Sequence, residues 1–144
     1  MTNKEIKQLF EEKLEKTNWN FNEWIEYEIC TKKEMNHFSK WLNSLDENEV
    51  CKYIQDNGTI LSIITNQTKD MCKWAILNNV MSIEFVKKQT KEISEFAIKE
   101  WPFAIELIRE QTVDLCILAL SRNKLTYEKV RIVPNPDYKT TLKI

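Results

Sequence analysis

Residues 67–88 read QTKDMCKWAILNNVMSIEFVKK, and the next two stretches repeat their layout without a gap: QTKEISEFAIKEWPFAIELIRE over 89–110 and QTVDLCILALSRNKLTYEKVRI over 111–132. Four columns are identical in all three units: the opening Gln and Thr, an alanine (Ala75, Ala97, Ala119) and a glutamate (Glu84, Glu106, Glu128). Other columns keep their character. Asp70, Glu92 and Asp114 are acidic, Met71, Ile93 and Leu115 apolar, and Cys72, Ser94 and Cys116 small. A fixed period of this length is the mark of tandem supersecondary units that bury their apolar faces against one another.

Physical chemistry accounts for most of the columns. The Thr suits an N-cap, since its hydroxyl accepts from a free amide of the first helical turn. The acid two places later lies where the helix dipole favours negative charge. Apolar side chains at Met71, Ala75 and Ile76, and again at Ile93, Ala97 and Ile98, trace one helical face. Asn79 and Asn123 are suited to cap a second, shorter helix. Pro102 fits the first turn of that helix, where a missing N–H is harmless. That helix is expected to bury Met81, Phe85 and Val86, then Phe103, Leu107 and Ile108. Each unit is therefore read as two short helices and a tight turn.

Working outward, a degenerate unit precedes these, starting 22 places before Gln67 at Leu45. Asp46 takes the Thr cap position, Val50 and Ile54 match Cys72 and Ile76, and Leu61 and Ile64 match Ile83 and Val86. Gly58, the only glycine, is expected to end the first helix of that unit as a C-cap. Residues 1–44 carry other spacings. Thr2 with Glu5 and Thr31 with Glu34 are capping boxes. They precede apolar faces at Ile6, Phe10 and Leu14 and at Met35, Phe38, Trp41, Leu42 and Leu45. A short helix is expected from Glu23 to Ile29, capped by Asn22. This part reads as a helical cap over the first repeat. From Val133 the Pro134-Asn135-Pro136 stretch breaks any helix. The expected organisation is one domain over 1–144, with a helical cap (1–44), helical repeats (45–132) and an extended C-terminal tail (133–144). The fold class is all-α, a short helical-hairpin repeat solenoid of 22-residue period with an N-terminal helical cap.

The pattern Gln-Thr-x-acid-apolar-small-x-x-Ala-apolar, followed by a shorter apolar helix, resembles the repeats called domain of unknown function 4116. The resemblance covers residues 67–132, and 45–132 with the degenerate unit. It implies tandem α-helical hairpins, and it implies no activity and no catalytic residues. Trp101 in place of the usual Asn cap and the polar turn at Lys129 depart from it.

Composition bounds the rest. With 42% hydrophobic and 30% charged residues, the 144-residue chain is of the globular class. One glycine and three prolines disfavour a strand-rich fold, which needs many such turns. Net charge is −1, unevenly spread. Residues 1–57 hold eight lysines against twelve acids, and residues 58–144 hold thirteen bases against ten acids. The four cysteines form no C-x-x-C pair and His37 lies near none of them, so no metal site and no cofactor is expected. No signal peptide is read at the start and no run approaches a membrane span, so the expected location is cytoplasmic with reduced thiols.

Candidate sites were weighed against structural explanations. One glycine excludes the glycine-rich nucleotide motifs, and no nucleophile–base dyad is close in sequence. His37 reads as a surface or boundary residue. The Glu column is best explained by helix-stabilising pairs with Lys87, Arg109 and Arg131 three places on. The Gln column suggests a hydrogen-bonded ladder, and the Cys72/Ser94/Cys116 column a small core position. Trp19, Phe21, Trp24 and Tyr27 crowd into nine residues. Core packing is the default for them, with a partner-binding surface next, because Trp and Tyr anchor interfaces. Pro134 and Tyr138 in the tail are the other partner-binding candidates.

The leading functional expectation is a non-catalytic protein–protein interaction module using a helical-repeat surface, not an enzyme, with another protein as its partner and no membrane. A narrower alternative is a small phage- or mobile-element-encoded inhibitor that blocks a host defence nuclease by stoichiometric binding, in the manner of an anti-CRISPR protein. Another is a nucleic-acid binder using Lys124, Lys129, Arg131, Lys139 and Lys143, whose affinity must then fall steeply with salt.

Overall fold

The computed structural model describes residues 1–17 and 20–131. Every regular element among them is helical. Six α-helices run over Asn3–Lys16 (α1), Lys32–Ser44 (α2), Glu47–Asp56 (α3), Lys69–Asn78 (α4), Lys91–Glu100 (α5) and Val113–Arg122 (α6). The last four begin 22 residues apart and are ten residues each. Each is followed by a six-residue 3-10 helix: Gly58–Ile63, Val80–Phe85, Pro102–Leu107 and Lys124–Lys129. The stretches 45–66, 67–88, 89–110 and 111–132 are called units one to four below. Each α-helix of a unit packs on that of the next, and so do the 3-10 helices.

Capping follows the expected chemistry. Thr68, Thr90 and Thr112 accept from the backbone N–H three residues on, and Asp46 does the same for α3. Both capping boxes form, at Thr2/Glu5 and Thr31/Glu34. Asn79 and Asn123 cap their 3-10 helices, as does Asn57 in unit one. Pro102 occupies the first turn of its helix.

The second element of each unit is a 3-10 helix where a short α-helix was expected. Its bonds run i to i+3, from the cap carbonyl onward: Ser82 N to Asn79 O, Ala104 N to Trp101 O, Thr126 N to Asn123 O. Three residues per turn change the buried set. Ile83 and Val86, and Ile105 and Ile108, lie in the core, while Phe85, Phe103 and Leu107 are half-buried and Met81 is exposed.

Gly58 is not a helix C-cap. Asn57 ends α3 in an extended conformation, and no described glycine has a positive φ. Glycine is required by close approach. A Cβ there would lie 2.4 Å from the carbonyl oxygen of Ala75 and 2.8 Å from Ser82 Oγ, both in unit two.

At the N-terminal end, the expected helix Glu23–Ile29 is absent. A 3-10 turn, Phe21–Glu23, preceded by Asn20, leads into turns that pass Glu28 at φ 57°. The turn packs against the 3-10 helix of unit one, and its Phe21 N–H donates to Thr59 Oγ1 at 2.6 Å. Phe10 is the hub of this end, with its ring within 5.8 Å of those of Phe21, Trp24, Phe38, Trp41 and Tyr53. Tyr53 occupies the alanine column of unit one. Ala75, Ala97 and Ala119 are fully buried in the other three units. Residues 1–44 offer rings, and an aromatic side chain fills the space.

Candidate functional site

The Gln column joins the units. Gln89 donates through Nε2 to Ile83 O of the preceding unit (3.0 Å) and Leu107 O of its own (3.1 Å), and its Oε1 accepts from Arg109 N (2.8 Å). Gln67 and Gln111 make the same three bonds, to Leu61, Phe85 and Lys87 and to Ile105, Lys129 and Arg131. Both amide protons and the carbonyl are thus used, as a part-buried amide requires. Unit one has Leu45 at this column, and Asn43 supplies the amide from two residues earlier. It donates to Ile63 O and accepts from Thr65 N, the counterparts of Phe85 O and Lys87 N. Sequence comparison by column missed this residue.

The basic column has a different job from the one expected. Among the described residues, Glu84, Glu106 and Glu128 form no ion pair with the base three places on. Arg109 turns its guanidinium to Glu84 O, Val86 O and Lys87 O, the carbonyls left open at the end of the preceding unit. Arg131 repeats this on Glu106 O, Ile108 O and Arg109 O, and Lys87 reaches Thr65 O. The ion pairs between units are Lys69 and Lys73 with Glu92, and Lys129 with Glu106.

These contacts bear on the residues singled out from sequence. Of the nucleic-acid set, Arg131 is committed to backbone carbonyls and Lys129 to Glu106, which leaves Lys124 exposed. Lys139 and Lys143 lie outside the described residues. Of the aromatic group, Phe21 and Trp24 are fully buried, so neither can anchor a partner on an exposed surface. They are core residues because Phe10 and the α2 rings enclose them. Tyr27 is 49% exposed. Trp19, Pro134 and Tyr138 lie outside the described residues. His37 is half-buried on α2. Cys30, Cys51, Cys72 and Cys116 are buried and none is in a disulfide. Burial pushes the Cys72 thiol up to about 11, and Cys30 and Cys51 rise for the same leading reason.

Three of the exposed apolar side chains meet between units two and three. Leu77 (50% exposed), Met81 (44%) and Trp101 (38%) meet with Ile76, Val80 and Glu100 around an open recess of about 480 Å3. Two of these stand in polar columns. Leu77 aligns with Gln55, Lys99 and Ser121, and Trp101 with the capping residues Asn57, Asn79 and Asn123. Trp101 makes no side-chain cap bond, and its ring tilts against Phe103 at 5.7 Å. Losing such a cap costs a helix about 1 kcal/mol. The sequence signal was the Trp in a capping column. Its meeting with Leu77 and Met81 needed the fold.

No family model, no curated protein and no solved structure matches this chain. Among the described residues no group of three or more His, Cys, Asp or Glu side chains is placed to hold a metal, and no helix is long and apolar enough to cross a membrane.

Proposed function

We propose that this chain is a protein–protein interaction module, a short helical-repeat solenoid of the kind carried by the domain of unknown function 4116 family, which binds a partner through the recess at Trp101. One observation carries the reading. Trp101 gives up a helix cap that the other three units keep, and it remains exposed beside two further exposed apolar side chains. The ring leans on Phe103, and Trp101 is still left 38% exposed to solvent. Exposed apolar patches with a central Trp are the usual anchors of interfaces. The ladder of Gln67, Gln89 and Gln111 and the arginine clamps support the reading from the other side. They rigidify the unit junctions, so a surface between two units is pre-organised and loses little entropy on binding.

The Trp101→Asn variant tests this because it separates binding from folding. It restores the cap and removes the anchor. The cap gained, about 1 kcal/mol, offsets packing lost with the ring on Phe103, so the variant is expected to stay folded with a melting temperature near that of the parent. Affinity purification from the native host, read by mass spectrometry, is expected to recover a partner with the parent chain and lose it with the variant. Identical recovery with both would remove Trp101 from the interface and overturn the proposal.

A further inference from the structure

A second recess adjoins the first. It has a volume of about 650 Å3 and lies between the C-terminal half of α1 and the ends of α3 and α4. Its wall carries Glu11, Glu15 and Asp56 with Tyr53, Asn78 and Asn79, and every charged residue lining it is acidic. The two recesses flank one turn. Asn78 and Asn79 line the acidic one, while Leu77, Val80 and Met81 line the apolar one. That turn is held firmly: Asn78 donates to Gln55 O and Asp56 O and accepts from Gly58 N. Lys7 and Lys52 lie in a separate, smaller hollow that shares Glu11, Tyr53 and Asp56 with this wall.

The carboxylates here are placed against the local field. Asp56 is the last residue of α3 and Glu100 the last of α5, where the helix dipole is negative and favours cations. Among the described residues Glu11, Glu15, Asp56 and Glu100 form no ion pair. The Tyr53 hydroxyl donates to Glu11 at 2.6 Å. Glu100 thus borders the apolar recess itself, while Glu11, Glu15 and Asp56 line the adjoining one, and two of the four stand at unfavourable helix ends. A partner can supply the positive charge that the wall of the larger recess does not carry.

Resting on the docking role of the Trp101 recess, we infer that the partner presents one extended segment that is both apolar and basic. It crosses the turn at Asn78-Asn79, seats an aliphatic or aromatic side chain against Leu77, Met81 and Trp101, and sets lysine or arginine side chains over Glu11, Glu15, Asp56 and Glu100. Such an arrangement draws affinity from the anchor and specificity and association rate from the charges.

The test is selection of a random twelve-residue peptide display library on the immobilised full-length chain, followed by fluorescence anisotropy with labelled synthetic copies of the enriched peptides. Two folded variants, checked by thermal melts, accompany it: Trp101→Asn, and the triple change Glu15→Gln, Asp56→Asn, Glu100→Gln. Enriched peptides are expected to pair an apolar anchor with lysine or arginine. Their affinity should be lost in Trp101→Asn, and should fall roughly tenfold in the triple variant and with rising salt. Enrichment of acidic or uncharged peptides that still require Trp101 would overturn the basic-segment inference and leave the docking site standing. Peptides indifferent to Trp101→Asn, or no enrichment at all, would overturn both.

Discussion

Single atoms decide several positions in this chain. At Gly58 a methyl group would press on the Ala75 carbonyl, which is backbone and cannot turn aside. Gly58→Ala is therefore expected to destabilise by about 1–3 kcal/mol through overpacking, although alanine is the better helix former. A urea melt checks it, and an unchanged midpoint would mean that units one and two can separate without penalty. At Cys72 the sign of the pH effect follows from burial. The thiol has an ordinary value near 9.0 when unfolded and about 11 when folded. The neutral form is favoured in the fold, so this stability is complete below about pH 9 and is lost as pH rises toward 11. Melting temperatures taken from pH 8 to 11 should fall, and Cys72→Ser, which copies Ser94 of the next unit, should flatten the fall. Tyr53 is also pushed upward, first by burial and then by its bond to Glu11, and adds to the upper end of that decline.

Within each unit, a ten-residue α-helix is joined to a six-residue 3-10 helix whose terminal carbonyls need partners. The Gln column and the Arg109 and Arg131 side chains supply them from the following unit. Gln111 is the most buried of the three glutamines, and its amide serves Ile105 O, Lys129 O and Arg131 N. Gln111→Leu fills similar space and leaves those groups without their amide partner, so a loss of roughly 2–4 kcal/mol is expected. Asn43→Ala removes the equivalent amide at a more exposed site and should lose about 1 kcal/mol. Chemical denaturation of the two variants ranks them, and the reverse order would show that the ladder is not the main tie between units.

Across the whole chain, the two ends differ. Phe10 and the rings around it close the first end, and α3 has neighbours on both sides. Among the described residues, at the other end α6 packs on α5, and Val113 and Leu125 are exposed. Stability in arrays with nearest-neighbour contacts is graded along the array. Native-state hydrogen exchange is expected to open α6 first and α3 and α4 last. Simultaneous exchange of all four helices would indicate one cooperative unit. The recess at Trp101 lies between α4 and α5, within the better-supported part, which suits the docking role proposed for it.

The helical class, the 22-residue element spacing and nearly every cap are legible in the sequence, because these depend on local chemistry: a hydroxyl or carboxylate two or three residues from a free amide, and an apolar face repeated at helical intervals. It also displayed the anomaly at Trp101, an aromatic in a capping column. The rest follows from contacts between elements. Six apolar-rich residues do not declare whether they wind as α or 3-10, since both place i and i+3 on one side. Asn43 replaces a glutamine that alignment places at Leu45, because an amide is selected by where its oxygen and nitrogen arrive and not by its column. The arginines leave the glutamates three places back for carbonyls of the preceding unit, since an unpaired backbone acceptor, part-buried at Val86 and Ile108, has more to lose than an exposed carboxylate has. Phe21 and Trp24 are core for a similar reason: which of several neighbouring aromatics is buried depends on what covers them, and the covering rings come from α1 and α2, the helices on either side of them in the chain.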